Sequence, residues 1–444
     1  MNGERPGRAQ LLCAAAILVS LGAVLALGEG RALPAPEGSA GTPTAKAPQA
    51  LDPEELARIS VAVTPRVARR VERLRELRFD RVPRPRVVSS EVLNRLARRE
   101  LERAGGLEDI GVDQAETQIV GLLAADEQLE DAYGTTGDLA AAAYDTRADR
   151  LYVIGDAVAP NRALVEFVIA HELNHALEDQ RFGLPEGGPS DDAALARIAL
   201  AEGSATALMT DYGTEYIPPL ELLQGAAGVD SGTGGVPQFY LDQLLWAYTG
   251  GERFITELRE LGGGWKLVDY ALESRQPAST EQVIHTDKYL SDERPQELTL
   301  EASALQAEGW RRVDSGSLGE LTTAQLLAVG APQATANRAA AGWGGDEYGL
   351  WSRGAAPAGC EAPCREDLVF VIDWAWDSPG EVEEFERAAG SYVKQGLGGR
   401  SAGDDLWEVE GGSVALAAGG AETTLVFAPD TELAAAVAAE QVVP

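Results

Sequence analysis

Histidine and cysteine are scarce in this 444-residue chain, which contains three of each. Cys360 and Cys364 form a single CxxxC pattern, and such a pattern alone predicts neither a metal site nor a redox centre. If the protein is exported, we expect a structural disulfide between them, because oxidising compartments preserve such bonds. The histidines are not dispersed, since two of the three stand in the motif His171-Glu172-Leu173-Asn174-His175.

Long apolar runs are also rare, and residues 11–27 form the only stretch that approaches the length of a membrane span. This run follows Arg5 and Arg8, so residues 1–27 are typical of a signal peptide or a short signal anchor. Residues 28–50 are rich in proline, glycine, alanine, threonine and serine, which predicts a flexible linker. We therefore expect an exported protein that is secreted, periplasmic or anchored at the outer face of the cytoplasmic membrane.

Basic residues are outnumbered: 37 lysines and arginines stand against 70 aspartates and glutamates, which gives a net charge of −33. Such a surface repels nucleic acid, so we expect no nucleic-acid partner. The exception is an arginine-rich stretch at residues 58–103, in which glutamates are interleaved. This pattern is typical of an amphipathic helix with a solvated charged face, and it also fits contact with anionic lipid or cell-wall polymer. A prosegment at residues 51–104 is a further alternative.

The histidine motif lies in a segment that is predicted to be helical. Asn161 is a suitable N-cap, an apolar stripe follows over residues 164–177, and Gly183 ends the pattern. Residues four apart lie on one face of a helix, so both imidazoles can bind the same ion. With Glu172 beside the first histidine, the motif predicts two zinc ligands and a general base. The alternative is a core helix with two hydrogen-bonded histidines.

A zinc site needs a third protein ligand, and Glu202 is the candidate that we favour. It lies in the middle of a second helical stretch, residues 199–208, and small residues at 203–205 allow two helices to approach closely. A carboxylate between such helices can reach the ion. A solvent-facing glutamate on an alanine-rich helix is the alternative, and Asp191, Asp192 and Asp211 fit less well because turn residues surround them.

The stretch His171-Glu-Leu-Asn-His175-Ala-Leu-Glu-Asp179 resembles the HELTHA-type active-site helix of thermolysin-like gluzincin metalloproteases. It is also similar to exported prokaryotic proteins whose HELTHALQDQ-like helix is followed by an EGDA-like helix, here Glu202-Gly-Ser-Ala. The resemblance covers residues 140–215. It implies a zincin-like fold, a bound Zn²⁺ with ligands His171, His175 and Glu202, and hydrolysis of peptide bonds. Thr206 departs from the thermolysin pattern, because an aspartate that orients a ligand histidine stands there, so the partner of His171 is not assigned.

Gluzincins place two further features around the ion, and the chain offers candidates for both. A downstream histidine or tyrosine stabilises the oxyanion; His285 is the first candidate, Tyr289 the second, and Tyr240 and Tyr248 rank lower. His285 also fits a surface or capping residue, or a metal ligand in place of Glu202. An edge strand before the helix binds substrate by strand addition. The predicted hairpin of residues 140–145 and 150–154 fits either this role or ordinary packing.

The remaining pattern predicts an α+β chain with two domains. Residues 51–295 should form a mainly helical, zincin-like metallopeptidase domain with a small edge hairpin. Residues 296–444 should form a small α+β domain with an antiparallel sheet. In the first domain we expect helices at 114–131, 239–248 and 253–261. In the second domain we expect strands at 298–305, 368–374, 406–409, 414–417 and 423–427, helices at 320–329, 380–397 and 430–440, and a loop at 341–348.

These patterns together favour an exported zinc-dependent endopeptidase that acts on peptide or protein substrates. Glu172 would take a proton from the attacking water and pass it to the leaving amine. The first alternative is a metal-binding but inactive protein that serves recognition at the cell envelope. The second alternative is a structural secreted protein whose HExxH motif occurs by chance.

Overall fold

The computed structural model describes residues 17–19, 51–103, 106–130, 139–155, 161–184, 187–226, 236–300, 303–354 and 365–441. Over these residues the architecture is α+β, as predicted, with a mainly helical part up to Ser291 and an antiparallel sheet from Arg311 onward. None of the helices in these ranges is long and apolar enough to cross a membrane. The predicted signal segment and linker lie outside the described residues except for 17–19, as do Cys360 and Cys364.

The helical part surrounds a small four-stranded sheet. Its helices are α1 (Pro53–Arg75), α2 (Ser90–Arg103), α3 (Gly106–Ile119), α4 (Arg162–Phe182), α5 (Asp191–Tyr216), α6 (Pro219–Ala226), α7 (Gln238–Gly262), α8 (Lys266–Glu273), α9 (Thr280–Ile284) and α10 (Thr286–Ser291). Its strands are β1 (Ile17–Val19), β2 (Pro85–Val88), β3 (Ala142–Asp145) and β4 (Arg150–Ile154). The strand order is β1-β3-β4-β2, and only the β2–β4 pair is parallel.

The main core of this part lies where α1, α4, α5 and α7 pack together. Val63, Val67 and Val71 recur every four residues along α1 and are fully buried against this core. Burial of that stripe explains why α1 forms although its sequence is rich in arginine. The arginine-rich stretch is therefore not only a solvated face, since its first helix supports the helix that carries the histidine motif.

The C-terminal part is built on one seven-stranded antiparallel sheet. Its helices are α11 (Ser303–Ala307), α12 (Gly319–Ala328), α13 (Gln333–Ala340), α14 (Pro379–Ser391) and α15 (Thr431–Gln441), and a π-helical turn (Tyr392–Gly396) follows α14. Its strands are β5 (Arg311–Gly316), β6 (Trp343–Ser352), β7 (Leu368–Trp376), β8 (Arg400–Gly403), β9 (Leu406–Val409), β10 (Gly412–Gly419) and β11 (Glu422–Ala428). The strand order is β5-β6-β7-β11-β10-β9-β8.

Both faces of this sheet are covered by helices. Phe370 and Ile372 of β7 belong to a core shared with α12, α13 and α14, whereas Val369 and Val371 belong to a core shared with α11 and α15. This alternation is the period of two that a strand imposes on its side chains. The first of these cores also takes up the end of α3, because Tyr392 Oη donates a hydrogen bond to the Val120 carbonyl at 2.7 Å.

The helix predicted at 114–131 is wrong in its bounds, because α3 spans Gly106–Ile119. Gly121 adopts a left-handed conformation with φ of 73°, and Arg365 donates to the Ile119 carbonyl at 2.8 Å. These two features end the helix, since a left-handed glycine and an external donor replace the next helical turn.

Two predictions in the C-terminal part are also wrong. Residues 341–348 were expected to form a loop, but they enter β6 through a bulge at Gly344 and Gly345. The backbone of Gln296 lies so close that a Cβ at Gly345 would be 2.4 Å from its carbonyl oxygen, so the glycines serve this contact. The strand expected at 298–305 is absent over the residues described there, and residues 303–307 form α11 instead.

Candidate metal centre

The motif helix α4 begins and ends as its sequence predicts. The side chain of Asn161 caps it by accepting a hydrogen bond from the Leu164 amide at 2.9 Å, and Gly183 ends it with φ of 73°. From Ala163 to Glu178 every residue of the helix is buried, including both histidines and Glu172. Buried polar groups require partners, so the surroundings of the motif indicate its role.

The helix that carries Glu202 crosses α7 at unusually short range. Gly203 of α5 and Gly251 of α7 face each other, and a Cβ on Gly203 would lie 2.2 Å from the Gly251 carbonyl carbon. The small residues at 203–205 predicted that two helices approach closely, and the helix that approaches α5 there is α7. A long α7 replaces the two predicted helices at 239–248 and 253–261, because Gly250 and Gly251 lie within it rather than between helices.

Three donor atoms from α4 and α5 converge on one point. Nε2 of His171 lies 3.0 Å from Nε2 of His175 and 3.2 Å from Oε2 of Glu202, and Nε2 of His175 lies 3.5 Å from the same oxygen. A tetrahedral zinc site with bonds near 2.1 Å places its ligand atoms about 3.4 Å apart. The three observed separations therefore match three corners of such a site, and the residues present fit a zinc ion.

The charge states at this point also suit a cation. Burial lowers the pKa of His171, which keeps its imidazole neutral with a lone pair available. Burial by itself would raise the pKa of Glu202, but the two imidazoles outweigh it and hold that pKa at about 2. A neutral imidazole such as that of His171 and an ionised carboxylate such as that of Glu202 are forms that bind a metal. The three side chains are 0–3% exposed, so solvent does little to screen a charge placed between them.

Tyr248 is the predicted oxyanion donor that the structure brings to this cluster. It comes from α7, is buried, and stacks on the His171 ring with centroids 5.9 Å apart and an interplanar angle of 27°. From the sequence, Tyr248 ranked below His285 and Tyr289. Its position follows from the close crossing of α5 and α7, which places Tyr248 one helical turn from Gly251.

The other predicted oxyanion donors lie outside the cluster. His285 connects α9 to α10, and its Nε2 is 3.1 Å from Oε1 of Glu320 on α12, which raises the pKa of His285. Tyr289 donates its hydroxyl hydrogen to the Arg275 carbonyl at 2.8 Å. Tyr240 is buried in a separate apolar cluster. The geometry therefore separates His285 from His171, His175 and Glu202 among the described residues.

Behind the histidines lies a buried polar network that the sequence analysis did not identify. Oε1 of Glu178 accepts hydrogen bonds from Ser204 Oγ at 2.5 Å and Arg75 Nε at 2.7 Å. Asn174 donates to Ser204, and Arg75 also pairs with Asp269 at 2.6 Å. The network links α1, α4, α5 and α8. One sequence signal was available, because Arg75 continues the four-residue spacing of the buried valines in α1.

Among the described residues, no side chain or backbone group forms a hydrogen bond with Nδ1 of His171. Nδ1 of His171 and Nδ1 of His175 are both buried without a hydrogen bond there, and so is Oγ1 of Thr206. Thr206 thus does not replace the aspartate of the thermolysin pattern by bonding either imidazole. The histidine orientation depends instead on packing within the helix crossing.

The predicted hairpin is present and lies against the motif helix. β3 and β4 pair antiparallel, and Tyr144 of β3 donates to Oδ2 of Asp179 at the end of α4 at 3.0 Å. On its other side β3 pairs antiparallel with β1, in the register Leu18↔Tyr144. The strand that was expected to offer a free edge is thus flanked by β4 and β1.

Comparison with known proteins reaches only the C-terminal part. A family model described as a domain of unknown function (DUF8575) matches residues 304–438. No curated protein and no solved structure matches the chain. The match coincides with the seven-stranded sheet and its covering helices, and it does not include the histidine motif or Glu202.

Proposed function

We propose that this protein is an exported zinc-dependent peptidase with a zincin-like catalytic part. The observation that supports this most strongly is the convergence of His171, His175 and Glu202, whose donor atoms are 3.0–3.5 Å apart in a buried site. Three protein ligands leave one corner of a tetrahedron for water, which is the pattern of catalytic rather than structural zinc sites. The apolar run at residues 11–27 supports export, by release or with membrane anchoring.

Zn²⁺ bound here would lower the pKa of a water ligand and polarise a peptide carbonyl. Glu172, one residue from a ligand and fully buried, is the group that takes the water's proton and returns it to the leaving amine. Tyr248, stacked on His171, is the favoured donor to the oxyanion. β3 is the strand on which an extended peptide would pair, since it contacts α4 directly. The substrates would be peptides or proteins.

One observation favours a second candidate, an inactive metal-binding protein. Glu172 and all three ligands are nearly or fully buried, and a substrate must reach them for catalysis. A metal ion that only stabilises the crossing of α4 and α5 would need no such access. The two candidates differ in the chemistry of Glu172, so a single substitution separates them.

The decisive experiment is Glu172→Gln, measured by zinc content and by hydrolysis of fluorescein-labelled casein. For a peptidase we expect the zinc content to be unchanged and hydrolysis to fall by about 10²–10⁴-fold, the usual contribution of a general base. Glu260→Gln, an exposed change on α7, is the matched control and should retain activity. Full activity of Glu172→Gln would contradict the assignment of the base. A zinc-loaded wild type without hydrolysis would favour the inactive protein.

A further inference from the structure

The outer edge of β3 is occupied by a segment from the N-terminus of the same chain. Residues 17–19 form β1 and pair antiparallel with β3, in the register Ile17↔Asp145, Leu18↔Tyr144 and Val19↔Ala143. The opposite edge of β3 is occupied by β4, in the register from Ala142↔Val153 to Asp145↔Arg150. Each strand has two hydrogen-bonding edges, so β3 has none left for a peptide while β1 is in place.

The chain between β1 and α1 is long enough to allow β1 to leave and return. Residues 20–50 connect the two elements, and an extended chain of that length reaches on the order of 100 Å. The segment that pairs with β3 is also part of the apolar run at residues 11–27. Cleavage of that run, or its insertion into a membrane, would remove β1 from the sheet.

We propose that residues 17–19 are an autoinhibitory strand that covers the substrate-binding edge of β3 until the N-terminal run is cleaved or inserted in a membrane. This inference rests on the proposed peptidase function. A strand on this edge is a competitor held in the same molecule, and tethering keeps its local concentration high. The enzyme would then remain closed to substrate before export, when unfolded cellular peptides surround it. Export itself would open the edge.

The test compares three full-length chains in which residues 1–27 are retained, as checked by intact mass. The first is the wild type. The second carries Leu18→Pro and Val19→Pro. Amides of successive strand residues point to opposite edges, so two adjacent prolines remove at least one donor facing β3 in either registry. The control carries Val24→Pro and Leu25→Pro, which place two prolines in the same apolar run outside β1.

Two measurements are made on each zinc-loaded chain. The first is amide hydrogen exchange of residues 142–145, which reports the strand pair without depending on activity. We expect about fivefold faster exchange in the Leu18→Pro/Val19→Pro chain, as loss of one hydrogen bond near 1 kcal/mol predicts, and no change in the control. The second is hydrolysis of labelled casein, in which the same chain should show a lower KM with unchanged kcat, because a competing strand reduces the fraction of open enzyme.

Each result bears on a different statement. Equal exchange in all three chains would overturn the autoinhibitory strand whether or not the protein is a peptidase. Faster exchange in the Leu18→Pro/Val19→Pro chain with an unchanged KM would also overturn it, since the edge would then not bind substrate. If none of the zinc-loaded chains hydrolyses casein, the proposed function fails and the inhibitory role fails with it, while the exchange comparison still decides whether β1 pairs with β3.

Discussion

At the scale of single residues, the site brings a carboxylate, two imidazoles and a tyrosine ring together in one buried place. Glu202 is held ionised between two imidazoles, and Tyr248 closes the side of His171 that faces α7. The spacing of the motif predicted that His171 and His175 converge, because four residues make about one helical turn. The sequence could not rank Tyr248 above His285, since their distances from the histidines depend on how α5 and α7 cross.

We expect Tyr248→Phe to lower kcat for casein by about 10²-fold, the cost of removing one oxyanion donor. The ring remains, so the stacking on His171 and the zinc content should be retained. His285→Ala is the comparison variant, because His285 pairs with Glu320 away from the cluster. Its kcat should stay near that of the wild type. The opposite pattern, with loss of kcat in His285→Ala alone, would restore His285 as the donor.

A second residue-scale prediction concerns Asp373 on β7, far along the sequence from the site. Its pKa is raised from 3.8 to about 7, chiefly by burial; the hydrogen bond from Thr424 opposes this shift, and the charges of Glu422 and Glu347 add to it. The folded protein therefore binds a proton that the unfolded chain releases near pH 4. Stability from this group is present at low pH and is lost as the pH rises through about 7.

Asp373→Asn should remove this dependence while its amide oxygen still accepts from Thr424. We expect the variant to melt at a higher temperature than the wild type at pH 8 and to show less difference at pH 5. Thermal unfolding of both proteins across this range measures the effect. The melting temperature of the variant should still fall somewhat with rising pH, because burial also raises the pKa of Asp346 to about 6. Identical pH profiles for the two proteins would contradict the shift at Asp373.

At the scale of elements, the crossing of α5 and α7 positions both Glu202 and Tyr248. Gly203→Ala would force a Cβ against the Gly251 backbone, so the helices must separate. We expect a loss of about 1–3 kcal/mol in the free energy of unfolding, typical of overpacking, together with weaker zinc binding. Gly390→Ala on α14 is the matched control, since no atom lies within 4 Å of its added Cβ. It should stabilise by up to about 1 kcal/mol.

Denaturant unfolding and zinc titration of the two glycine variants test this account of the crossing. If Gly203→Ala binds zinc as tightly as Gly390→Ala does, the close approach of the helices is not what positions Glu202. The comparison holds the chemical change constant and varies only the space around the added methyl group.

The element boundaries show where sequence patterns were sufficient. α4 was predicted at both ends because its caps are local, and β7, β9, β10 and β11 were predicted because they alternate or run apolar. The bulge at Gly344 and Gly345 and the uninterrupted α7 were missed for a shared reason. In both cases glycines, which locally suggest a break, serve a close contact with a segment distant in sequence.

At the scale of the whole molecule, the C-terminal part contacts the N-terminal end of helix α5. Tyr348 of β6 donates to Oδ2 of Asp191 at 3.1 Å, and Asp192 accepts from the Thr280 amide at 3.0 Å. Thr280 in turn accepts from the Leu321 amide of α12. The segment matched by the DUF8575 model thus contacts the helix that supplies Glu202 through hydrogen bonds between polar groups.

We propose that His171, His175 and Glu202 together bind one zinc ion, and the zinc content of the purified protein tests this proposal most directly. After purification in zinc-containing buffer and removal of loosely bound metal, we predict one zinc ion per wild-type chain. The same procedure should give much less than one in His175→Ala and in Glu202→Ala, with circular dichroism confirming that both variants are folded. A wild-type protein without zinc, or a Glu202→Ala variant that retains a full equivalent, would contradict the account.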